Sequence, residues 1–354
     1  MEKVSKMTKN CLDYLQEFKD VSFNDMSFND VDASIFSLIT YLDIKSGLLR
    51  NSINYFLNNT DKKKFIKNGY KNKDLWNMAM ILLDSKRYSD IKVSDVIKRI
   101  TINEQFKALS FRFDKTLVIA YEGTDETLIG WEEDLALSYT FPVKAETDAI
   151  NYINRVIGIK DRNVYVVGHS KGGHLALVAG MYANMFNKFK IKKIYSFDGP
   201  GLRDQELNSL RYKMIEKKFK HFIPEYSFIG ILLKHKDAYM IKSTRKDFKC
   251  HVLFTWNVEG NSFKLGTISK RSLNLYNNLN EWLDNHNEYE REMISKQLFN
   301  TFRSLGLTYY NDLKKFNNMV KIVIKSKDMD KYTKKLLISL GKYVIDSFLN
   351  KDTF

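Results

Sequence analysis

Residues 164–180, VYVVGHSKGGHLALVAG, leave this chain few ways to fold. Val164, Tyr165, Val166 and Val167 are β-branched or aromatic and read as a buried strand, whereas the Ala- and Leu-rich run from His174 reads as a helix. Between them lies Gly168-His169-Ser170-Lys171-Gly172, a G-x-S-x-G sequence. In a strand-turn-helix setting this pattern predicts a turn so sharp that its serine is strained, with glycines admitting the neighbouring backbone. Ser170 Oγ then stands at the C-terminal edge of the sheet as a candidate nucleophile. The N–H of Lys171, at the start of the helix, points toward a developing oxyanion. The competing reading is a structural glycine turn.

The rest of the chain supplies strands and crossovers to match. Residues 108–113 and 116–121, joined at Asp114-Lys115, read as a hairpin, and residues 149–157 as the helix leading to the elbow strand. Residues 191–197, 219–223 and 238–243 read as further strands, with 203–217 a crossover helix. Such alternation predicts parallel strands joined by right-handed crossovers. Residues 51–105 read as short helices, 75–83 and 93–100 among them, without evident chemistry. Ile35, Phe36, Leu38, Ile39 and Leu42 predict an amphipathic helix capped by Asn29 or Asp30. Residues 273–283, 290–305 and 331–348 also read as helices, the last with Leu336, Leu337, Leu340, Val344 and Ile345 on one face. The expected organisation is an N-terminal helical region over 1–105, a core over 106–265 and a C-terminal helical region over 266–354.

A nucleophilic serine needs an acid and a base downstream, in the order Ser, then Asp or Glu, then His, each on a loop beyond a strand's C-terminal end. Asp198 follows the first strand after the elbow and Glu225 the second. Among six histidines, His169 and His174 flank the elbow and cannot fold back onto Ser170, His221 lies within a strand, and His235 and His286 sit in helical or loop contexts. His251, beyond the last core strand, is the candidate base. The second oxyanion donor belongs on a loop after an earlier strand, where Tyr121-Glu122-Gly123-Thr124 offers the N–H of Thr124; the plainer reading is a strand-end turn. Glu132, Glu133 and Asp134 are consecutive and do not face one another on a helix, so they read as capping or solvated residues rather than a site.

These motifs together resemble a known family. The stretches Asn29-Asp30-Val31-Asp32 with Tyr41-Leu42-Asp43, Tyr121 to Thr124 with Trp131-Glu132-Glu133-Asp134-Leu135, the segment from Val167 to Gly173, and Phe197-Asp198-Gly199-Pro200-Gly201 are similar to the bacterial Mbeg-like group of α/β-hydrolases. Ile229 to Leu233, and His251 with Phe254 and Trp256, extend the resemblance over residues 25–310. The group is related to class 3 (fungal-type) lipases. The resemblance implies an α/β-hydrolase fold, with a mostly parallel central sheet flanked by helices and with N-terminal and C-terminal helical additions. It implies a serine hydrolase of lipase or esterase type acting on carboxylic, lipid-like esters. Carried over position by position, it makes Ser170 the nucleophile, His251 the base, and Thr124 and Lys171 the oxyanion donors. In class 3 lipases an aspartate follows the later strand. Here that place reads Pro224-Glu225-Tyr226-Ser227, with Tyr226 at the acid position, a departure that favours Asp198 over Glu225. The group also tends to carry Asn where this chain has His174. The alternative reading is a non-catalytic interaction protein on a hydrolase scaffold.

A net charge of +15 favours anionic partners such as a phospholipid surface or nucleic acid. The lysines are scattered, and no zinc spacing, RNA-recognition aromatic motif or localised basic helix accompanies them, so specific nucleic-acid binding is not expected. The apolar run 228–233 beside the basic stretch 217–249 reads either as a wall for an acyl chain next to an anionic head group or as a buried turn. Cys11 and Cys250 form neither a metal-ligand spacing nor a disulfide framework, and no metal or organic cofactor is expected. No signal-peptide pattern and no long uncharged apolar segment is present, so a cytoplasmic location is expected. The sequence leaves the oligomeric state open.

Overall fold

Seven strands line up in chain order: β1 (Lys92–Thr101), β2 (Glu104–Phe113), β3 (Thr116–Tyr121), β4 (Asn163–His169), β5 (Ile191–Phe197), β6 (Phe219–Pro224) and β7 (Tyr239–Ile241). The computed structural model describes residues 8–42, 44, 51–59, 73–101, 104–124, 128–309, 312, 315, 317, 321–322, 325 and 329–349. The first three strands pair antiparallel and every later pair is parallel. Among the described residues its main helices are α1 (Cys11–Phe18), α2 (Asp30–Ile39), α3 (Ile53–Asn58), α4 (Lys73–Leu83), α5 (Leu128–Ala136), α6 (Lys144–Val156), α7 (Lys171–Tyr182), α8 (Met185–Lys190), α9 (Asp204–Leu207), α10 (Leu210–Ile215), α11 (Lys270–Asp284), α12 (Glu288–Ser304) and α13 (Lys331–Leu349).

This order dictates how the sheet is covered. Parallel neighbours that follow one another in sequence, each joined by a crossover of the same hand, place all their connections on one face. Accordingly α6, α7 and α10 pack on the face carrying Leu117, Ile119, Tyr121, Val164 and Val166. Alternate residues of the same strands, Val118, Ala120 and Val167, point to the other side. The N-terminal helices cover that face. Their anchor is Asp32, which accepts from Arg87 Nε at 3.0 Å and Nη2 at 2.6 Å and from Tyr14 and Tyr88, both charged side chains being fully buried. Arg87 spends further donors on the carbonyls of Val21, Ser22 and Met26, so neither charge is left uncompensated.

Several expectations need correction. Residues 93–100 form strand, not helix. A bulge between Val93 and Asp95 inserts Ser94, and the extra residue moves the apolar positions 93, 96, 97 and 100 from strand spacing to what looks like helical spacing. Because β1 belongs to the sheet, the sheet begins ahead of residue 106. Helix α2 is buried all round rather than amphipathic, and its hydroxyls turn back on their own helix, Ser34 to Val31 O, Ser37 to Ser34 O and Thr40 to Ser37 O. The crossover after β5 is two short helices, α9 and α10, with a 3-10 turn, not one long helix.

The C-terminal helices pack on the core. Phe299 and Phe302 of α12 meet Leu128 of α5, and Trp282 of α11, Ile294 of α12 and Leu336 of α13 form a cluster of their own. The side chains of Val344 and Ile345 lie outside the described residues. The basic stretch 217–249 is not one patch: Lys220 pairs with Asp30, Lys234 with Asp204 and Asp284, and Lys236 with Glu216.

Candidate active site

Between β4 and α7, Ser170 adopts φ +57° and ψ −135°. An L-residue held there costs about 1–3 kcal/mol and persists only when its surroundings over-determine it. They do: Ser170 N donates to Phe197 O at 2.9 Å, and Ser170 O accepts from Gly173 N at 2.8 Å. The two motif glycines are required by contact. A Cβ on Gly168 would lie 2.0 Å from Gly172 O, and one on Gly172 would lie 2.2 Å from Tyr121 O. The elbow is therefore pressed against the end of β3, where the Gly123 loop approaches Ser170 Cβ.

Two loops from the same edge meet beside it. Asp198, fully buried and itself at φ +50°, follows β5. His251 ends a 3-10 turn after β7, and its Nδ1–H donates to Asp198 Oδ2 at 2.6 Å. The other carboxylate oxygen, Oδ1, accepts from Ser227 Oγ at 2.5 Å and from Gly230 N at 3.0 Å. Asp198 is thus oriented by three donors. Glu225 instead accepts from Thr267 N at 3.1 Å and does not meet His251. Ser170 is brought to this edge as well, but its Oγ and the His251 imidazole are not hydrogen-bonded to each other among the described contacts.

His169 acquires a place the motif alone does not reveal. Its Nε2–H donates to His251 O at 2.8 Å, which leaves Nδ1 to accept from Tyr41 OH at 2.9 Å. Burial, and then the neighbouring His251, push its pKa well below the ordinary histidine value, so the ring stays neutral and keeps this tautomer. The backbone of His251 is thereby tied to the elbow. His174 binds Glu146 Oε1 and Gly201 O, each at 2.8 Å, and takes no part in the site.

The loop after β3 is braced from below. Lys107 Nζ meets Glu122 Oε1 at 3.3 Å and donates to the carbonyls of Thr40 and Leu42, Gln105 Nε2 donates to Gly123 O at 3.1 Å, and Thr124 Oγ1 donates to Asp134 Oδ2 at 2.5 Å. Lys171 belongs to the same network. Its Nζ, almost fully buried, binds Glu133 Oε2 at 2.9 Å and Gln105 Oε1 at 3.0 Å, while Glu133 Oε1 accepts from Ala145 N at the start of α6. As the first residue of α7, Lys171 has a backbone N–H with no intrahelical partner.

The acidic run accordingly splits. Glu133 does cap α6, but it and Asp134 are not solvated, and burial raises the Asp134 pKa against the opposing pull of Lys171 and Thr124. Only Glu132 faces outward, toward Arg303 at 2.6 Å. Gln105 has no local signal in the sequence, and neither has the contact of Glu133 with Lys171. The available signal was Lys171 itself, because a lysine opening a small-residue helix against a sheet demands a buried acid.

A cavity of about 220 Å³ is lined by Leu232, Leu233, Leu279, Trp282, Ile294 and Leu340, together with Asp134, the partner of Thr124 Oγ1, and Pro200, two residues beyond Asp198. Of the run 228–233, a chain of turns rather than a helix, only Leu232 and Leu233 line it, while Ile231 and Phe228 pack with Ile223 and Leu275. Among the described residues no group of three His, Cys, Asp or Glu side chains is arranged to hold a metal ion.

A parallel sheet whose strand ends deliver a strained serine, an acid and a histidine to one edge defines an α/β-hydrolase fold. A model of the Mbeg1-like family matches residues 82–300, more than half of the chain, and the protein belongs to that family. The matched span is narrower than the resemblance over 25–310, and most of the N-terminal helical layer lies ahead of it. Among solved structures the chain is similar to a lipase propeptide complex of Rhizomucor miehei (15% identity, 63% of this chain and 76% of that one, TM-score 0.37). It is also similar to a lipase from Rhizopus microsporus var. chinensis (16% identity, 70% and 85%, TM-score 0.36) and to M37 lipase (15% identity, 58% and 70%, TM-score 0.36). No curated protein matches its sequence.

Proposed function

We propose that the protein is a serine hydrolase of carboxylic esters. The observation that carries this reading is the His251 Nδ1 to Asp198 contact of 2.6 Å on the same sheet edge as the strained Ser170. In the proposed cycle His251 Nε2 removes the Ser170 hydroxyl proton as Oγ attacks the ester carbonyl carbon. The N–H groups of Thr124 and Lys171 receive the oxyanion. Collapse expels the alcohol, which takes its proton from His251, and leaves an acyl-Ser170. Water, deprotonated by His251, then attacks the acyl carbon; the bond to Ser170 Oγ breaks, Oγ takes the proton back from His251, and the acid is released. Asp198 keeps the proton on Nδ1 and stabilises the imidazolium, and His169 holds the His251 backbone in place. The apolar cavity that Asp134 and Pro200 help to line supports an acyl chain as the part of the substrate it accommodates.

The test is labelling by a fluorophosphonate probe together with turnover of p-nitrophenyl esters of increasing chain length. Wild type is expected to label, Ser170→Ala to lose labelling outright, and His251→Ala to lose at least about a thousandfold in rate. Widening the cavity with Leu279→Ala is expected to move the preferred chain to a longer one. The rival reading is a hydrolase scaffold kept for binding. Folded wild-type protein that neither labels nor turns over any ester would select the rival.

A further inference from the structure

The edge of the sheet opposite Ser170 has an unusual surface. Strands β4, β5 and β6 all begin there, so the turn at 157–162, helix α8 and the turn at 216–218 converge on it. Helix α8, MFNKFK, is built inside out. Its polar residues turn inward: Asn187 and Lys188 are buried, with Lys188 Nζ donating to Met181 O at 2.8 Å. Its apolar residues turn outward, Phe186 being 61% and Phe189 76% exposed, and Ile159 on the adjoining turn is 88% exposed. Large apolar side chains so exposed and so close together mark a contact surface.

Cations surround them. Lys190 Nζ reaches the carbonyls of Gly158 and Ile159 at 2.6 and 3.1 Å and lies 4.5 Å from the centroid of the Phe186 ring, which joins the turn to the helix. Lys218 Nζ donates to Lys188 O at 2.8 Å, which joins the third segment. Lys160, Lys192 and Lys217 are exposed beside them. Among the described residues no carboxylate pairs with any of these lysines, because the nearby acids are engaged elsewhere, Asp161 with Arg112 and Glu216 with Lys236. Burial and then neighbouring cations, Arg211 and Lys218, lower the Lys188 pKa, and burial and then Lys192 lower that of Lys218, as an excess of positive charge requires.

We propose that this face docks on an anionic phospholipid bilayer, with Phe186, Phe189 and Ile159 entering the interface and the surrounding lysines meeting the head groups. Exposed aromatic and aliphatic side chains set among unpaired lysines suit that boundary, where apolar burial and attraction to anionic lipid act together. The bases of a single strand would stack on the two rings but leave the aliphatic Ile159 in water, whereas a bilayer interface takes all three. Since the strands run from this edge to the elbow, docking turns Ser170 away from the bilayer. The proposal therefore stands independently of the hydrolase reading.

Co-sedimentation of the full-length protein with vesicles tests it. Binding is expected to vesicles of phosphatidylcholine containing one third phosphatidylglycerol, to weaken in high salt, and to be absent with phosphatidylcholine alone. Phe186→Ser with Phe189→Ser, and separately Lys160→Glu with Lys192→Glu, are each expected to lower binding at least about tenfold at unchanged melting temperature. All four side chains are on the surface, so folding is preserved. Failure of wild type to bind the anionic vesicles, or binding that survives both double variants, overturns the proposal. A dimer that dissociates in the Phe186→Ser, Phe189→Ser variant, without vesicle binding by wild type, would assign the face to a second copy of the chain instead.

Discussion

Replacing Asp198 by asparagine tests the acid assignment with little change in shape. At Oδ1 the amide oxygen still accepts from Ser227 Oγ and Gly230 N. At Oδ2 an NH₂ group would face the Nδ1–H of His251 across 2.6 Å, donor against donor. The imidazole escapes this by moving its proton to Nε2, and a protonated Nε2 cannot accept from Ser170. Loss of about 10⁴ in kcat is expected, a barrier increase of about 5 kcal/mol, as follows when a triad histidine is held in the wrong tautomer. Weakening two charge-assisted hydrogen bonds costs only about 1–3 kcal/mol of stability, so the variant should fold. The assay is steady-state hydrolysis of the best p-nitrophenyl ester, with KM expected to stay within about threefold, since the cavity is untouched. Retention of more than a hundredth of the wild-type kcat, or an equal loss in Glu225→Gln, would refute the reasoning.

The Lys171 network yields a stability test: Glu133→Gln leaves a buried ammonium without its carboxylate and should cost roughly 3–5 kcal/mol, read from urea midpoints. The pair Lys171→Met with Glu133→Leu should recover most of it, and a single-variant loss below about 1 kcal/mol would show that the pair is not buried as described. Gly172→Ala should lower stability by about 3 kcal/mol or more and abolish esterase activity, because its Cβ would sit 2.2 Å from Tyr121 O; a soluble, active variant would contradict the elbow geometry. Burial, and then neighbouring His235, push the His221 pKa down to about 3, whereas the unfolded chain ionises near the ordinary value of 6.5. The unfolded state therefore takes up the proton first, and stability present above pH 6.5 is lost as pH falls, by roughly 2 kcal/mol at pH 5 from this residue alone. The stability difference between wild type and His221→Gln should shift by that amount between pH 7 and pH 5, and a difference independent of pH would refute it.

How much of this was legible depended on whether the signal was local. The elbow was, because strand, glycine turn and helix are all written within residues 163–182 and backbone strain needs no distant partner. His251, the proposed base, was singled out by elimination among histidines, since Ser, acid and His follow a fixed order along the chain in this fold. The residues alone left the proposed acid open, because Asp198 and Glu225 occupy equivalent strand-end loops; the family resemblance favoured Asp198, and it is Asp198 that contacts His251. Helix α2 looked amphipathic since its hydroxyls bond within the helix, a satisfaction that hydropathy does not register. Strand β1 read as helix because one bulge residue turned a period of two into apparent helical spacing.

By itself the sequence determined that a parallel sheet presents Ser170 on a sharp turn, for steric reasons confined to a few neighbouring residues. Only the tertiary structure decided what surrounds that turn: Asp198 rather than Glu225 on His251, His169 and Tyr41 behind it, and Lys171, Gln105 and Glu133 beneath the loop. These partners come from segments tens of residues apart. Burial creates their need for one another, since a charge or imidazole taken out of water must find its complement in whatever the fold brings near, and no local pattern records which residue that will be.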